Sequence, residues 1–358
     1  MDLRLRFVAL ASAAGLILGG GLAAMQRSQG TGAAPAMAIT GRVVDPSGTP
    51  VADTFVTALQ KGGVSGRPFG FVSARLGSIT NAKGEFRLDG LYAGEFYVIA
   101  LPHNPPVDAS GRPSRTGFGN TFYPGVRAFT EAKVVVVRPG MPATAGMALL
   151  PAALFTTSGV VLDSSGRPVS GGRLLITHGD GLFGLDSRAV RINPGGRFGI
   201  AGLQPGTYFL QFRESQWPPP RGTIPKVSQA KVVIADADAP NVRVAPLTMV
   251  RATGRLVVEA AADRASLDPA SVSVGPLPTP FDGNPGPSRH GTVGQDLRFE
   301  FRAWPMPARI RVMIESPGWV VKAVRHHGAD ITDQAIEFVQ GKEITGLEVV
   351  VTRGTGRR

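Results

Sequence analysis

The chain has 358 residues, 43% of them hydrophobic, which is too long for one hydrophobic core and too apolar for a disordered protein. It contains no cysteine, which excludes disulfides, thiolate nucleophiles and cysteine-based metal sites, and its 47 glycines and 30 prolines disfavour long helices. The formal net charge of +12 comes largely from arginines scattered singly along the chain, so we expect a cationic, solvated surface and no nucleic-acid groove.

The N-terminal segment has the pattern of an export signal. Arg4 and Arg6 precede an uncharged run over residues 7–24, and a Gly/Ala/Pro/Ser-rich stretch extends to Ala38. Two outcomes stay open: cleavage near residues 22–24 or 34–36, which the glycines of the run favour, or retention as a single membrane anchor. We therefore predict a signal peptide or anchor at 1–24, a flexible linker at 25–38 and an extracytoplasmic location. The membrane would be contacted only through this segment, and only if it is uncleaved.

A motif Gly-x-Val-x-Asp-x-x-Gly-x-Pro-Val occurs twice, at residues 41–51 and 159–169. It combines a β-branched strand with a turn. An aspartate at the first position of a turn bonds its own backbone two residues on, so Asp45 and Asp163 are interpreted as turn residues. The motif therefore predicts the first strand of a domain and no reactive site.

A second signature, Gly-x-Phe-x-Leu/Ile-x-Gly-Leu-x-x-Gly-x-Phe/Tyr, follows at residues 84–96 and 196–208. Its alternation predicts strands with one buried face, and Gly94 and Gly206 are expected at positive φ. Further strands are predicted at 132–137 and 230–234. A degraded third copy starts at Gly254, continues at 299–301 and 310–312, replaces the glycine turn by residues 304–307, and closes with 336–339 and 347–351.

These repeats divide the chain into three predicted β-sandwich domains. The predicted bounds are 39–150, 151–248 and 249–353, followed by a tail at 354–358. The proline-rich segments 217–220 and 276–287 are predicted to be loops or edge connections, because proline cannot donate to a sheet ladder.

Both signatures, in this order, resemble the carboxypeptidase regulatory-like domain family. Copies one and two match closely and copy three matches in outline, so the resemblance covers nearly everything after the N-terminal segment. It implies an all-β fold of three tandem transthyretin-like (prealbumin-like, Ig-like) sandwiches after a signal or anchor helix. It also implies an accessory or adhesive module of envelope and secreted proteins, without peptidase activity, because in carboxypeptidases this domain lies beside the catalytic one.

No catalytic, cofactor or metal site is predicted. None of the five histidines has zinc-peptidase spacing. The nearest metal-like cluster is His326 and His327 with Asp330 and Asp333, but adjacent strand residues point to opposite faces, so we expect a surface turn. Residues 117–122 lack the third glycine of a dinucleotide loop and are also expected to form a turn. Asp180, Asp236 and Asp238 are assigned to turns for want of the oxygen ligands that calcium needs.

Aromatic rings in loops are the candidates for ligand contact, either as sugar platforms or as packing caps at the ends of the sandwiches. The candidates are Phe118, Phe122, Tyr123, Trp217 and Trp319. The leading hypothesis is a non-enzymatic, exported structural or interaction protein of the cell envelope, with an envelope protein or polysaccharide as partner. The alternatives are a carbohydrate-binding, starch-binding-like module and an accessory subunit of a separately encoded peptidase or secretion system.

Overall fold

The computed structural model describes residues 37–62, 69–70, 77–104, 107–108, 110–179, 187–214, 223–279 and 283–354. The predicted signal or anchor segment, Trp217 and residues 355–358 lie outside this part of the chain. Strands account for 57% and helices for 5%, so the all-β prediction is confirmed. Across the described ranges, no helix is long and apolar enough to span a membrane.

Among its described residues, the first repeat has twelve short strands and a 3-10 helix at Phe129–Glu131. The strands are β1 (Ile39–Val44), β2 (Thr54–Lys61), β3 (Phe69–Gly70), β4 (Ser78–Ile79), β5 (Glu85–Leu88), β6 (Gly94–Pro102), β7 (Thr116–Gly119), β8 (Thr121–Phe122), β9 (Val134–Val137), β10 (Ala143–Thr144), β11 (Met147–Ala148) and β12 (Leu150–Ala153).

The part of the second repeat that the structure describes has seven strands and a 3-10 turn at Pro194–Gly196. The strands are β13 (Phe155–Val161), β14 (Gly172–His178), β15 (Ser187–Ile192), β16 (Arg197–Leu203), β17 (Gly206–Arg213), β18 (Val227–Ile234) and β19 (Ala239–Pro246).

In the third repeat, leaving aside residues 280–282, the structure has nine strands and 3-10 helices at Ala261–Ser266 and Pro269–Ser271. The strands are β20 (Val250–Val258), β21 (Val272–Pro278), β22 (Gly291–Thr292), β23 (Arg298–Ala303), β24 (Pro307–Ile314), β25 (Trp319–His326), β26 (Ala329–Asp330), β27 (Ile336–Glu337) and β28 (Ile344–Arg353).

The three repeats share one strand arrangement. The first strand lies between the phenylalanine-bearing strand and a closing strand: β5, β1 and β10/β11, then β16, β13 and β19, then β23, β20 and β28. The closing strand runs parallel to the first strand in every repeat. A second, antiparallel set of strands, such as β2–β6–β9 and β14–β17–β18, supplies the facing layer. The predicted strand order is therefore repeated three times along the chain.

The glycine that opens the motif occupies a crowded position in the first strand. A Cβ atom on Gly41 would lie 2.5 Å from the Ala145 carbonyl oxygen and 2.6 Å from the Phe86 ring. Gly159 and Gly254 meet the same obstruction, because a Cβ on either would lie 1.9 or 2.4 Å from a closing-strand carbonyl oxygen. These distances are far inside van der Waals contact, so the closing strand approaches the first strand only where a side chain is missing.

Side-chain burial alternates as the second signature predicts. In β5, Phe86 and Leu88 are buried between exposed neighbours, and Phe198 and Ile200 repeat the pattern in β16. The turn glycines differ in detail from the expectation. Gly94 and Gly206 have φ of 159° and 157°, at the margin of extended backbone, whereas Gly90 and Gly202 have φ of 74° and 71°.

The segment between β6 and β9 covers the outer face of the β2–β6 sheet. Ile99 and Leu101 point away from the sandwich core yet are buried, and on the same face of β6 the rings of Tyr97 and Phe129 lie 4.6 Å apart. The sequence predicted a turn at 117–122, and this is wrong for most of the segment. Its residues belong to β7 and β8, because they gain ladder partners in β12 and β6 from distant parts of the chain.

The third repeat differs from the prediction at two places. Residues 276–278 were assigned to a loop but form the end of β21, paired with β24. On its other side β21 is paired only at Ser273 and Val274, so Pro276 and Pro278 lie along an open edge where proline is tolerated. The sequence also missed β25, which pairs with β28 and carries Trp319 into the core.

Contact density separates the chain into two compact units. One comprises Met1–Phe155 with Ala201–Pro205, and the other comprises Thr156–Ile200 with Gly206–Arg358. The second unit therefore contains nearly all of the second repeat and the whole of the third. The division into three domains at 150 and 248 stays a prediction.

A buried apolar cluster joins the second and third repeats within the second unit. It contains Val227, Met249 and Trp304, with Leu247 and Met306 packed against it. Trp304 is 1% exposed, and its indole N–H is buried without a hydrogen-bond partner in the described structure. The Trp-Pro-Met-Pro segment that replaces the glycine turn in the third copy thus serves the junction between repeats.

We expect Gly41→Ala to be far more damaging than Gly48→Ala. A Cβ on Gly41 would force the closing strand away, and we expect a loss of about 3 kcal/mol in the free energy of unfolding. Gly48 has φ of 86° with open space around its Cβ position, so alanine should cost only about 1 kcal/mol of left-handed strain. Urea unfolding of both variants measures the difference, and equal losses would contradict the crowding argument.

We expect Trp304→Phe to be milder than Trp304→Ala. Alanine should lower the free energy of unfolding by about 3–5 kcal/mol, because it leaves a cavity in the junction cluster. Phenylalanine keeps most of the packing and removes an unsatisfied N–H, whose burial costs about 1–3 kcal/mol. Urea unfolding again provides the measurement, and a phenylalanine variant as unstable as the alanine variant would show that the indole N–H is satisfied in solution.

Candidate interaction surfaces

The motif aspartates use their carboxylates to bind their own turns. Oδ1 of Asp45 accepts hydrogen bonds from the Ser47 amide at 2.9 Å, the Ser47 hydroxyl at 2.6 Å and the Thr49 amide at 2.8 Å. Oδ1 of Asp163 accepts in the same way from the amides of Ser165 and Arg167 at 2.8 and 2.9 Å. The turn assignment of both residues agrees with this geometry.

The sequence analysis missed another copy of the same turn. Oδ1 of Asp108 accepts from the Ser110 amide at 2.8 Å and the Ser110 hydroxyl at 2.6 Å, and the Gly111 amide donates to the Asp108 carbonyl at 3.0 Å. The signal was present, because residues 108–113 repeat the Asp-x-Ser-Gly-x-Pro spacing. The turn lies between β6 and β7 of the first repeat and not beside a first strand. The motif is therefore a general hairpin device and does not by itself count domains.

These hydrogen bonds lower the pKa of the turn carboxyls. The Ser47 hydroxyl is the main cause for Asp45, and the Ser110 hydroxyl is the main cause for Asp108. For Asp163 the main cause is the hydrogen bond from the Arg167 amide. The lowered values reflect donors within each turn and supply no acid or base for chemistry.

A shallow surface depression beside the Asp163 turn is lined by Asp163, Arg167, Phe212 and Glu214 among other residues. Its acidic groups are already used. Glu214 accepts hydrogen bonds from the Ser164 amide and hydroxyl, and Asp163 lies 3.5 Å from the Arg167 guanidinium. The depression is thus a braced turn and offers no free reactive pair.

The two adjacent histidines lie together. The ring centroids of His326 and His327 are 4.4 Å apart, so the two rings do not point to opposite faces, while the expected surface turn is present at residues 327–328. His327 has left the strand and sits in a turn with φ of 48°. Asp330 is engaged by the Thr332 amide and hydroxyl at 2.9 and 2.6 Å. No group of three His, Asp or Glu side chains in the described ranges is close enough to hold a metal ion.

The candidate aromatic platforms are largely covered. Phe122 is 5% exposed and Trp319 6% exposed, while Phe118 and Tyr123 are half-buried against the first core. The guanidinium of Arg353 lies 4.8 Å above the Trp319 ring and occupies its face. Contact between a sugar and these rings stays a prediction, and their burial disfavours it.

Tyr92 is the aromatic residue that the sequence analysis overlooked. It is 70% exposed, in the turn between β5 and β6. It lies inside the second signature, where alternation identifies core positions but does not show which turn residues project into solvent.

A charged ladder covers the outer face of β20, β23 and β28. Arg251 lies directly opposite Arg302, and Arg255 lies directly opposite Arg298. Carboxylates compensate both pairs: Arg251 lies 2.8 Å from Glu300 and 3.4 Å from Glu343, Arg255 pairs with Glu348, and Arg298 lies 3.9 Å from Asp296. The ion pair with Arg251 holds the pKa of the Glu300 carboxyl below its usual range.

Another directly opposed arginine pair lies on β14 and β15. Arg173 faces Arg191 across the antiparallel ladder, and both side chains are exposed. Within the described part of the chain, no carboxylate forms an ion pair with either of them. This cationic pair lies at the edge of the seven-stranded sheet.

We expect Asp45→Asn to keep the turn while altering its response to acid, because Asn81 already accepts the same two amide bonds at 2.9 and 3.0 Å in the 81–85 turn. The pKa of Asp45 is lowered from 3.8, so its stabilising effect is present above that pH and is lost as the pH falls through the lowered value. The stability difference between wild type and Asp45→Asn should therefore shrink below about pH 4. Thermal unfolding across a pH series tests this. Asp45→Ala, which loses the turn bonds at every pH, is the control, and a difference independent of pH would contradict the assignment.

No protein-family model and no curated protein matches the chain. Solved structures with some similarity include the Bacillus anthracis TIE protein, at 12% identity and a TM-score of 0.23, with 90% of this chain aligned to 51% of that protein. The chain thus spans about half the length of the TIE protein. A streptococcal ancillary pilin is 12% identical, with coverage of 90% and 100% and a TM-score of 0.26. BcpA, the major pilin subunit of Bacillus cereus, is 9% identical, with coverage of 90% and 100% and a TM-score of 0.19. At these values the likenesses support no statement about function.

Proposed function

We propose that this chain is a non-enzymatic structural and interaction protein of the cell envelope, exported and acting outside the cytoplasm. The observation that carries the proposal is the use made of the repeated motif. The motif aspartates accept hydrogen bonds from the backbone of their own turns, and the motif glycines allow the closing strand to approach the first strand closely. The residues that recur in the repeats therefore stabilise the fold, and the surfaces of the repeats are left for binding.

The junction between the second and third repeats supports a scaffolding role. Beside the Trp304 cluster, the buried amide of Gln211 donates to the carbonyls of Gly283 and Asn284 at 3.1 and 3.3 Å, and to Gln229 Oε1 at 2.9 Å. Apolar packing and satisfied buried hydrogen bonds at the same boundary hold two repeats in a fixed relation. Such a joint suits a protein that spaces or presents surfaces.

We further propose that the repeats are carboxypeptidase regulatory-like domains. The support lies in the two ordered signatures and in the seven-stranded second repeat, whose first strand lies between the phenylalanine-bearing strand and a parallel closing strand. Membership in this family would place the chain among accessory modules that act beside other proteins. Of the alternatives, carbohydrate binding through Phe118, Phe122, Tyr123 and Trp319 loses support from the burial of these side chains, and an accessory peptidase subunit gains none.

Cross-linking on intact cells tests the proposal. The full-length chain with a C-terminal tag is expressed in its source cells, treated with a membrane-impermeant cross-linker and recovered under denaturing conditions. We expect the protein to be labelled and joined to an envelope component. A variant lacking residues 1–24 is the matched control and should stay unlabelled inside the cell. Recovery of the full-length protein only from the cytoplasmic fraction would contradict the proposed location, and peptidase activity that survives purification would contradict the non-enzymatic role.

A further inference from the structure

The described residues contain four directly opposed arginine pairs, and these differ in how their charge is compensated. Arg289, which faces Arg302 on the side away from Arg251, forms no ion pair within the described residues. Directly opposed like charges destabilise an antiparallel pair, so such positions need a counter-charge. In the third repeat the chain provides one: Glu300 and Glu343 on Arg251, and Glu348 on Arg255. For Arg173 and Arg191 the described residues provide none, although their backbone geometry is the same.

Protection of the sheet edge does not explain the second-repeat pair. Charges on an edge strand do discourage pairing between molecules, and this accounts for Arg191 on β15. It does not account for Arg173, because β14 is paired on both sides, with β15 and β17. The inner arginine makes the position costly without helping the edge.

We infer that Arg173 and Arg191 form a binding site for the carboxylate or phosphate groups of an acidic polysaccharide. Opposed residues on one face place their Cβ atoms about 5 Å apart, so two guanidinium forks converge on one small region. Each fork matches a carboxylate or phosphate with two parallel hydrogen bonds. A bound oxyanion takes the place that glutamates occupy in the third repeat.

The neighbouring rows of the same face fit an extended polar chain. The next row holds Leu175 and Ala189, and the one after it holds Thr177 and Ser187, whose hydroxyl oxygens lie 3.3 Å apart. Rows on one face are about 7 Å apart, so a polymer lying along β14 and β15 meets a cationic row, a flat apolar row and a hydroxyl row in turn. None of these positions carries an aromatic side chain, and Phe209, which faces Thr177 from β17, packs against Gly283. Single-stranded nucleic acids use open aromatic rings for base stacking, so the rows favour a saccharide backbone.

This inference deepens the proposed envelope role and rests on it for where the polymer is met. Its test does not depend on cell location. Binding of the purified full-length protein to alginate, as a carboxylate polymer, and to phosphorylated mannan, as a phosphate polymer, is measured by calorimetry across a salt series. Dextran is the neutral control. The polymer that binds more tightly identifies the source of the oxyanion.

The double variant Arg173→Gln/Arg191→Gln should weaken binding at least tenfold and reduce the slope of log K against log salt by about two. The matched control is Arg255→Gln/Arg298→Gln, which removes the same two charges from an opposed pair whose members each have a carboxylate partner, Glu348 and Asp296. It should retain nearly wild-type binding. Equal weakening in both double variants would show a general charge effect and overturn the site, as would unchanged binding in the first.

Two further measurements complete the test. Without polymer, Arg173→Gln/Arg191→Gln should melt no lower than wild type, because it relieves like-charge repulsion; a lower melting temperature would show that the arginines have a structural role. Duplex DNA should bind more weakly than the acidic polysaccharides at equal salt, and tighter DNA binding lost in the same variant would replace the polysaccharide by nucleic acid. Loss of polymer binding leaves the scaffold proposal standing, and cytoplasmic recovery of the chain leaves the binding result standing.

Discussion

The close approach of the parallel closing strand to the first strand is the constraint on which each repeat depends. At Gly41, Gly159 and Gly254 the neighbouring carbonyl lies where a Cβ atom would be, and at Gly41 and Gly254 a phenylalanine ring packs over the same point. In the second and third repeats the ladder shifts register at this glycine. A side chain here would separate the closing strand from the first strand and expose the aromatic core beneath.

Besides this strand packing, the first and second repeats use the polar side chains of the motif turns for hydrogen bonds within the fold. The turn carboxylates accept their own backbone amides, so the connections between strands are short and rigid without help from a ligand. At the junction of the second and third repeats, the side-chain amide of Gln211 likewise donates to backbone carbonyls. In each of the turn aspartates, Asp45, Asp108 and Asp163, it is the Oδ1 atom that accepts the turn hydrogen bonds.

The outer faces differ from one another although the repeats share a topology. In the third repeat, Arg251 and Arg255 form ion pairs with Glu300 and Glu348 on the outer face. Exposed ion pairs stabilise a fold only modestly, but they leave little net charge at these two arginines to attract a partner. The β14–β15 face carries Arg173 and Arg191 without that compensation. In the first repeat the outer-face residues Ile99 and Leu101 of β6 are buried, and Phe129 packs on Tyr97 of the same face. Repeats with a shared strand arrangement thus present different surfaces: covered in the first repeat, cationic in the second and ion-paired in the third.

The sequence by itself determined the all-β class, the strand pattern of the signatures and the role of Asp45 and Asp163, because alternation and turn chemistry act over a few neighbouring residues. Only the tertiary structure decided which aromatics are buried, that residues 117–122 become ladder strands, that His326 and His327 lie together, and that Arg173 faces Arg191. Each of these depends on which distant segment becomes the neighbour. Register and burial are properties of paired strands, and no single strand encodes its partner.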